Sequence, residues 1–257
     1  MKAPKRVLYS SLALSSLLAL SSLALAQDTK NFNWNGQLSP GQTVTIKSIN
    51  GDIDATPASG NQVEVTAEAS GRDAQDVQFE ARPDSDGVTI CEIYPGVDSC
   101  NGGSTEHHNN NHIRIHYTVH IPAANRFNAQ SVNGGIVAKD LDREVKANTV
   151  NGGVKVSTKS WAEARSVNGS VEAMMGSANW EGTLHLESVN GAIHVGLPAN
   201  ANTDVEVRTV NGSFSSELPV NSQALNSHHV EGRIGNGGRQ LKLSTVNGSV
   251  HLVKSGS

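Results

Sequence analysis

Aromatic residues make up 4% of this 257-residue chain, and cysteine occurs only twice. So few rings exclude a thick core built on large aromatic anchors and leave the packing to small aliphatic side chains. Basic clusters are absent beyond Lys5-Arg6. The formal charge of -4 becomes -7 without the first 26 residues, which hold Lys2, Lys5 and Arg6 and no acid. An acidic chain without basic runs excludes charge-driven binding to nucleic acid or anionic lipid. After residue 26 no apolar run is long enough to span a bilayer, and no segment shows a helical apolar period. Glycine is plentiful, at 25 residues.

The amino terminus reads as a secretory signal peptide over residues 1–26. Lys2, Lys5 and Arg6 precede an uncharged Leu/Ala/Ser stretch, and Ala24-Leu25-Ala26 precede polar Gln27. A retained anchor is the competing reading, but serines dilute the apolar core. The mature chain is expected to be exported to the periplasm or cell surface, with no transmembrane segment after cleavage. Its expected partner is an envelope protein or glycan. In an oxidising compartment Cys91 and Cys100 are expected to form a disulfide, stabilising the fold by about 2–3 kcal/mol on chain entropy. Their separation of nine residues is not the two-residue spacing of thiol oxidoreductases.

What dominates the chain is a block of Ser or Thr, a β-branched residue, Asn and Gly. It places Asn50-Gly51, Asn133-Gly134, Asn151-Gly152, Asn168-Gly169, Asn190-Gly191, Asn211-Gly212 and Asn247-Gly248 in equivalent positions. From Asn133 onward the spacings are 18, 17, 22, 21 and 36 residues, and Val230-Glu231-Gly232 reads as a degenerate copy inside the longest gap. The positions four and six residues before each Asn, and three after it, are apolar in every copy, with polar residues between. This alternation predicts a half-buried strand, a turn and another half-buried strand.

Two all-β architectures use such a unit. Asn-Gly can close two-residue hairpins in an antiparallel sandwich or meander. Alternatively, each repeat of about 16–22 residues is one coil of a β-solenoid, with Asn and Gly turning its corner at positive φ. A hairpin turn requires neither the Ser/Thr nor the β-branched residue, so sameness of the whole block favours the solenoid. Stacked corners would then form Asn and Ser/Thr ladders. Residues 27–128 read as an amino-terminal cap and β region holding the cysteine pair and a His/Asn-rich loop, and 129–257 as the repeat region, the two expected to form one continuous domain.

The repeats, with Leu197-Pro198-Ala199-Asn200 leading to Thr209-Val210-Asn211-Gly212 and Leu218-Pro219, resemble the DUF4097 group of bacterial adhesin-like proteins. Phe32 and Trp34 before Pro40-Gly41 and Ile49-Asn50-Gly51-Asp52-Ile53 are similar as well. The resemblance implies an exported β-repeat protein with no assigned reaction and no functional residues. The His/Asn-rich loop and the cysteine pair depart from it.

For chemistry, the sharpest candidate is a metal site at His107, His108 and His112 near Glu106, with zinc as the ion. His112, His116 and His120 lie about 13 Å apart in succession along a strand and cannot share one ion. Asp52 with Asp54, and Asp140 with Asp142 and Glu144, are the acidic groups a polysaccharide-active enzyme would use. They are ordinary on exposed strands. Trp34, Trp161 and Trp180 have the chemistry to stack on sugars, but read first as a cap and as covers of the rungs. The favoured reading is a non-catalytic adhesin-like repeat protein, an envelope interaction or scaffold surface. A periplasmic metal-binding protein and a polysaccharide-active β-helix enzyme are the alternatives.

Overall fold

The computed structural model describes residues 29–95, 100, 112–226 and 228–255. They fold as two large mixed sheets, of ten and eleven strands, neither closed on itself. Each repeat contributes one strand to each sheet. Its incoming strand, such as Val145–Asn151, lies in the eleven-stranded sheet, and its outgoing strand, such as Val154–Thr158, in the ten-stranded one.

The two strands flanking each Asn-Gly therefore belong to different sheets and do not pair with each other. Pairing runs between neighbouring repeats, parallel and in register. Val145–Asn151 pairs with Arg126–Asn133 on one side and Ala162–Asn168 on the other, Asn151 opposite Asn133 and Asn168. The antiparallel meander of Asn-Gly hairpins is thus not formed. Its physical objection is visible in the block itself: the β-branched residue and the hydroxyl have stacking roles that a hairpin turn would not use.

Along the stack the repeats do not follow chain order. The sequence of rungs is Asn50, Asn133, Asn151, Asn168, Asn190, Asn247, Asn211, because Arg239–Asn247 is inserted between Thr183–Asn190 and Thr203–Asn211. Val230-Glu231-Gly232, read above as a degenerate corner, lies instead within His229–Ile234. That strand runs antiparallel to Thr203–Asn211 and covers that end of the sheet together with Val220–Asn226.

Alternation dictates the core. The positions four and six before each Asn are buried in every copy, as are those three after it except partly buried Phe214 at the sheet edge. In the middle rungs Ala129, Ala147 and Ala164 meet the requirement for a thin core, together with Ala138 and Ala173 of the other sheet. At the first end a ring cluster closes the core. Phe32 stacks on Phe79 at 5.1 Å, and Phe79 meets Tyr117 edge-on at 6.2 Å, linking the two sheets where the rungs stop. Cys91 and Cys100 are disulfide-bonded in this region.

Between Gly51 and Arg126 lies a further rung without the block. Gly87–Ile93 pairs in parallel with Thr43–Ser48, and Arg114–Ile121 with Gly51–Pro57. Antiparallel strands Val63–Ser70, Thr29–Gly36 and Gln78–Asp84 extend the two sheets past it.

Candidate interaction surface

The corner is built from three side-chain ladders and one backbone contact. Asn133 Nδ2 donates to Asn50 Oδ1 at 2.7 Å, Asn151 to Asn133 at 2.8 Å, Asn168 to Asn151 at 2.9 Å, and Asn190 to Asn168 at 2.8 Å. Asn247 donates to Asn190 and Asn211 to Asn247, both at 2.8 Å. The buried hydroxyls form the second ladder. Ser131 donates to the Gly51 carbonyl, Thr149 to Gly134, Ser166 to Gly152, Ser188 to Gly169, Thr245 to Gly191 and Thr209 to Gly248, at 2.8–2.9 Å.

The glycines are required for closeness. None of the repeat Asn or Gly residues is among those at positive φ, which corrects the expected corner geometry. A Cβ on Gly152 would instead lie 2.2 Å from the Gly134 carbonyl oxygen, and one on Gly169 2.0 Å from that of Gly152. Gly134, Gly191, Gly212 and Gly248 meet the same obstacle at 1.9–2.2 Å. Backbone stacks on backbone at this column, leaving no room for a side chain.

The third ladder faces solvent. Ile49, Val132, Val150, Val167, Val189 and Val246 are each 39–41% exposed, and Val210 is 61% exposed. At the strand spacing of about 4.8 Å they make an apolar ridge roughly 29 Å long, flanked by the Asn ladder. Hydrophobic periodicity does not reveal this, because the ridge residues alternate with the core as polar residues elsewhere do.

The sheet faces carry charge lattices. On the eleven-stranded sheet Glu163 meets Lys146 at 3.5 Å and Arg165 at 3.1 Å, while Glu206 meets Arg208 at 2.6 Å and Lys242 at 3.2 Å. Partial burial pushes the Glu206 carboxyl up, but hydrogen bonds from Lys242 and Arg208 outweigh it and hold the pKa below the ordinary value. On the other sheet Lys155 pairs with Glu172 at 3.0 Å, and His194 stacks on His251 at 4.7 Å. Ser215 and His251 are hydrogen-bonded at 2.8 Å, but the ring of His251 lies against His194 rather than a carboxylate.

The acidic candidates each have a partner within the fold. Asp52 accepts from the Gly135 amide at 2.8 Å, Asp54 lies 3.4 Å from His116, and Asp140 accepts from Ser157 at 2.9 Å. Asp142 pairs with Lys159, and Glu144 with Arg126 and Arg143. His120 is hydrogen-bonded to Thr56 at 3.0 Å. His107 and His108 lie outside the described residues, and His112 is exposed. Among the described residues Glu206, His229 and Glu231 come within metal-binding reach of one another, but Arg208 and Lys242 already neutralise Glu206. Glu80 lies near Cys91 and Cys100, whose sulfurs are committed to the disulfide. No helix among these residues is long and apolar enough to cross a membrane.

One buried carboxylate escaped the sequence reading. Glu92 accepts from Ser48 Oγ at 3.0 Å, from the Ile49 amide, and from Tyr117 Oη at 2.6 Å. Burial raises its pKa above the ordinary carboxylate value against these hydrogen bonds. Val88, Ile90 and Glu92 continue the minus-six, minus-four and hydroxyl columns, a signal that aligning this strand with the repeats exposes.

Two repeat-built sheets joined along a ladder-bonded corner define the class: an all-β repeat protein whose most regular feature is an edge. The chain belongs to the Toastrack DUF4097 family, whose model matches residues 22–253. Among solved structures it is similar to a proposed cell adhesion protein from Clostridium sporogenes ATCC 15579, at 12% identity and TM-score 0.49, covering 88% of this chain and 100% of that one. It is also similar to a candidate adhesin from Bacteroides fragilis NCTC 9343, at 12% identity and TM-score 0.38 over 88% and 97% of the two chains. A third is a proposed lipid binding protein from Parabacteroides distasonis ATCC 8503, at 10% identity and TM-score 0.34 over 87% and 97%. No curated protein matches.

Proposed function

We propose that this is an exported, non-catalytic β-repeat protein of the periplasm or cell surface, its coils stacked as a solenoid whose corner ridge is an interaction or scaffold surface. The observation that carries the reading is the solvent-facing column of seven aliphatic side chains. Each sits on a corner held by hydrogen bonds above and below, so the ridge is rigid before any partner arrives and loses little entropy on binding. A regular apolar stripe on an otherwise charged surface is a feature that soluble proteins use for contact. The disulfide accords with export. The engaged carboxylates leave the catalytic alternative without a free acid–base pair of its own at Asp52 and Asp54 or at Asp140, Asp142 and Glu144.

The test is photo-cross-linking in the native envelope from a photoreactive residue placed at Val167 or Val189, with Lys155 on the sheet face as the control position. One dominant partner captured from the ridge and not from Lys155 supports the reading. Capture from all three positions in proportion to envelope abundance overturns it.

A further inference from the structure

A groove of about 590 Å³ opens on the eleven-stranded sheet, at the edge opposite the corner, and no ladder uses it. Its floor is formed by Asn128 and Lys146 on neighbouring strands. Trp161 stands at its lip, where the strand Ala162–Asn168 begins. The wall is the connection 176–182. Trp180 pins that connection: it is 1% exposed, and its indole N–H donates to the Gln240 carbonyl at 3.1 Å. Exposed Asn179 and Glu181, one on each side of the pin, are thereby held along the groove.

The lining has a definite chemistry. Trp161 packs partly against the core and leaves the rest of its indole exposed, a platform for the C–H face of a pyranose ring. Asn128 and Asn179 each both donate and accept, which matches pairs of hydroxyl groups. Lys146 and Arg126 balance Glu144 and Glu181, so the lining carries no net formal charge. A phosphate or uronate would call for an excess of cations, and a lipid chain for more apolar wall. Glu144 is held between the Nε atoms of Arg126 and Arg143 at 3.4 and 3.5 Å, so it is a fixed member of the wall.

The geometry points to a binding subsite for a neutral saccharide unit, with Trp161 as its platform. This deepens the surface-binding reading above by naming a ligand class, and it occupies a different face from the ridge. Trp34 and Trp180 do not share the role: Trp34 belongs to the far strand Thr29–Gly36, and Trp180 is buried.

Saturation-transfer NMR on residues 27–257 tests it, using chitotriose, cellotriose, maltotriose and mannotriose at neutral pH. Transfer to the ring protons of at least one trisaccharide is expected. Trp161→Ala should weaken that binding by about tenfold or more, from loss of the stacking contact. Asn179→Ala, at an exposed position, should weaken it several-fold with the thermal midpoint unchanged, and Trp34→Ala should leave it unaltered. No transfer to any of the four sugars overturns the subsite, as does binding by Asn179→Ala and a folded Trp161→Ala equal to the parent's. If Trp161→Ala does not fold, Asn179→Ala together with Glu181→Gln decides the question. Loss of the sugar signal with ridge cross-linking intact removes this subsite alone; loss of ridge cross-linking with the sugar signal intact removes the ridge reading alone.

Discussion

The two long edges of the molecule both carry the chain from one sheet to the other, and they have almost nothing else in common. At the corner edge the seven Asn-Gly crossings share one four-residue pattern and one Asn ladder. At the opposite edge the connections differ in length: three residues at Asp142–Glu144 and at Lys159–Trp161, seven at Gly176–Gly182 and five at Pro198–Asn202. Asp140, Gly182, Gly235, Gly237 and Gly238, all at positive φ, are in or beside turns at that edge. Register needs to be set only once per rung. With the corner doing so through backbone contact, the other edge is free to vary, and the uneven spacing of the Asn residues originates there. The Trp161 groove is at the variable edge.

The largest way to break this comparison is at the glycine column. Gly152→Ala should cost at least about 3 kcal/mol, since the new methyl meets the fixed backbone of Gly134 and rung spacing cannot widen locally. Gly153→Ala, one residue on, has its nearest neighbour at 3.5 Å and should stay within about 0.5 kcal/mol of the parent, or gain slightly from the stiffer unfolded chain. Denaturant melts of the pair measure the contrast; equal effects would mean that backbone closeness does not set the corner.

A smaller effect separates the edges by their hydroxyls. Ser166→Ala leaves the Gly152 carbonyl without its buried donor and should cost about 1 kcal/mol. Ser157→Ala removes the bonds from the Asp140 amide and to its carboxylate at the solvated far edge, where water replaces both, and should cost a few tenths of that. Equal losses in thermal unfolding would show that both edges carry register.

How much of this was legible follows from what each column does. The apolar columns and the ladders depend on side-chain type at fixed offsets, and both are plain in the spacing. The glycine column was visible while its cause was not: positive φ and close approach both demand glycine, and a string of letters does not distinguish them. The order of rungs was hidden for a related reason. Interchangeable corners let Asn247 stack between Asn190 and Asn211 as well as beyond them, and only the pairing of Arg239–Asn247 with both neighbours shows which arrangement is adopted. The groove at Trp161 joins residues 43 and 181 of the chain, a proximity that no local pattern encodes.

The smallest expected effect comes at the place where the corner edge runs out. Ser48 needs the acceptor that a preceding glycine carbonyl provides for every other hydroxyl, but the neighbouring rung has no glycine corner. The carboxylate of Glu92, at the hydroxyl column, accepts from Ser48 and Ile49 in its stead and is buried in doing so. Because burial raises its folded-state pKa, the stabilisation associated with neutral Glu92 is complete below the ordinary carboxylate range and is lost as pH rises through the folded value. Glu92→Gln keeps an oxygen for Ser48 and Ile49, turns its amide toward Tyr117 Oη as the protonated carboxyl does its hydroxyl, and carries no charge to bury. Its thermal midpoint should therefore match the parent's near pH 4 and exceed it increasingly as pH rises, over melts spanning about pH 4 to 8. The carboxylates common to both chains cancel in that difference. A gap that does not change with pH would mean that Glu92 holds the corner by shape alone, and that the stack's end is a rung like the others in all but sequence.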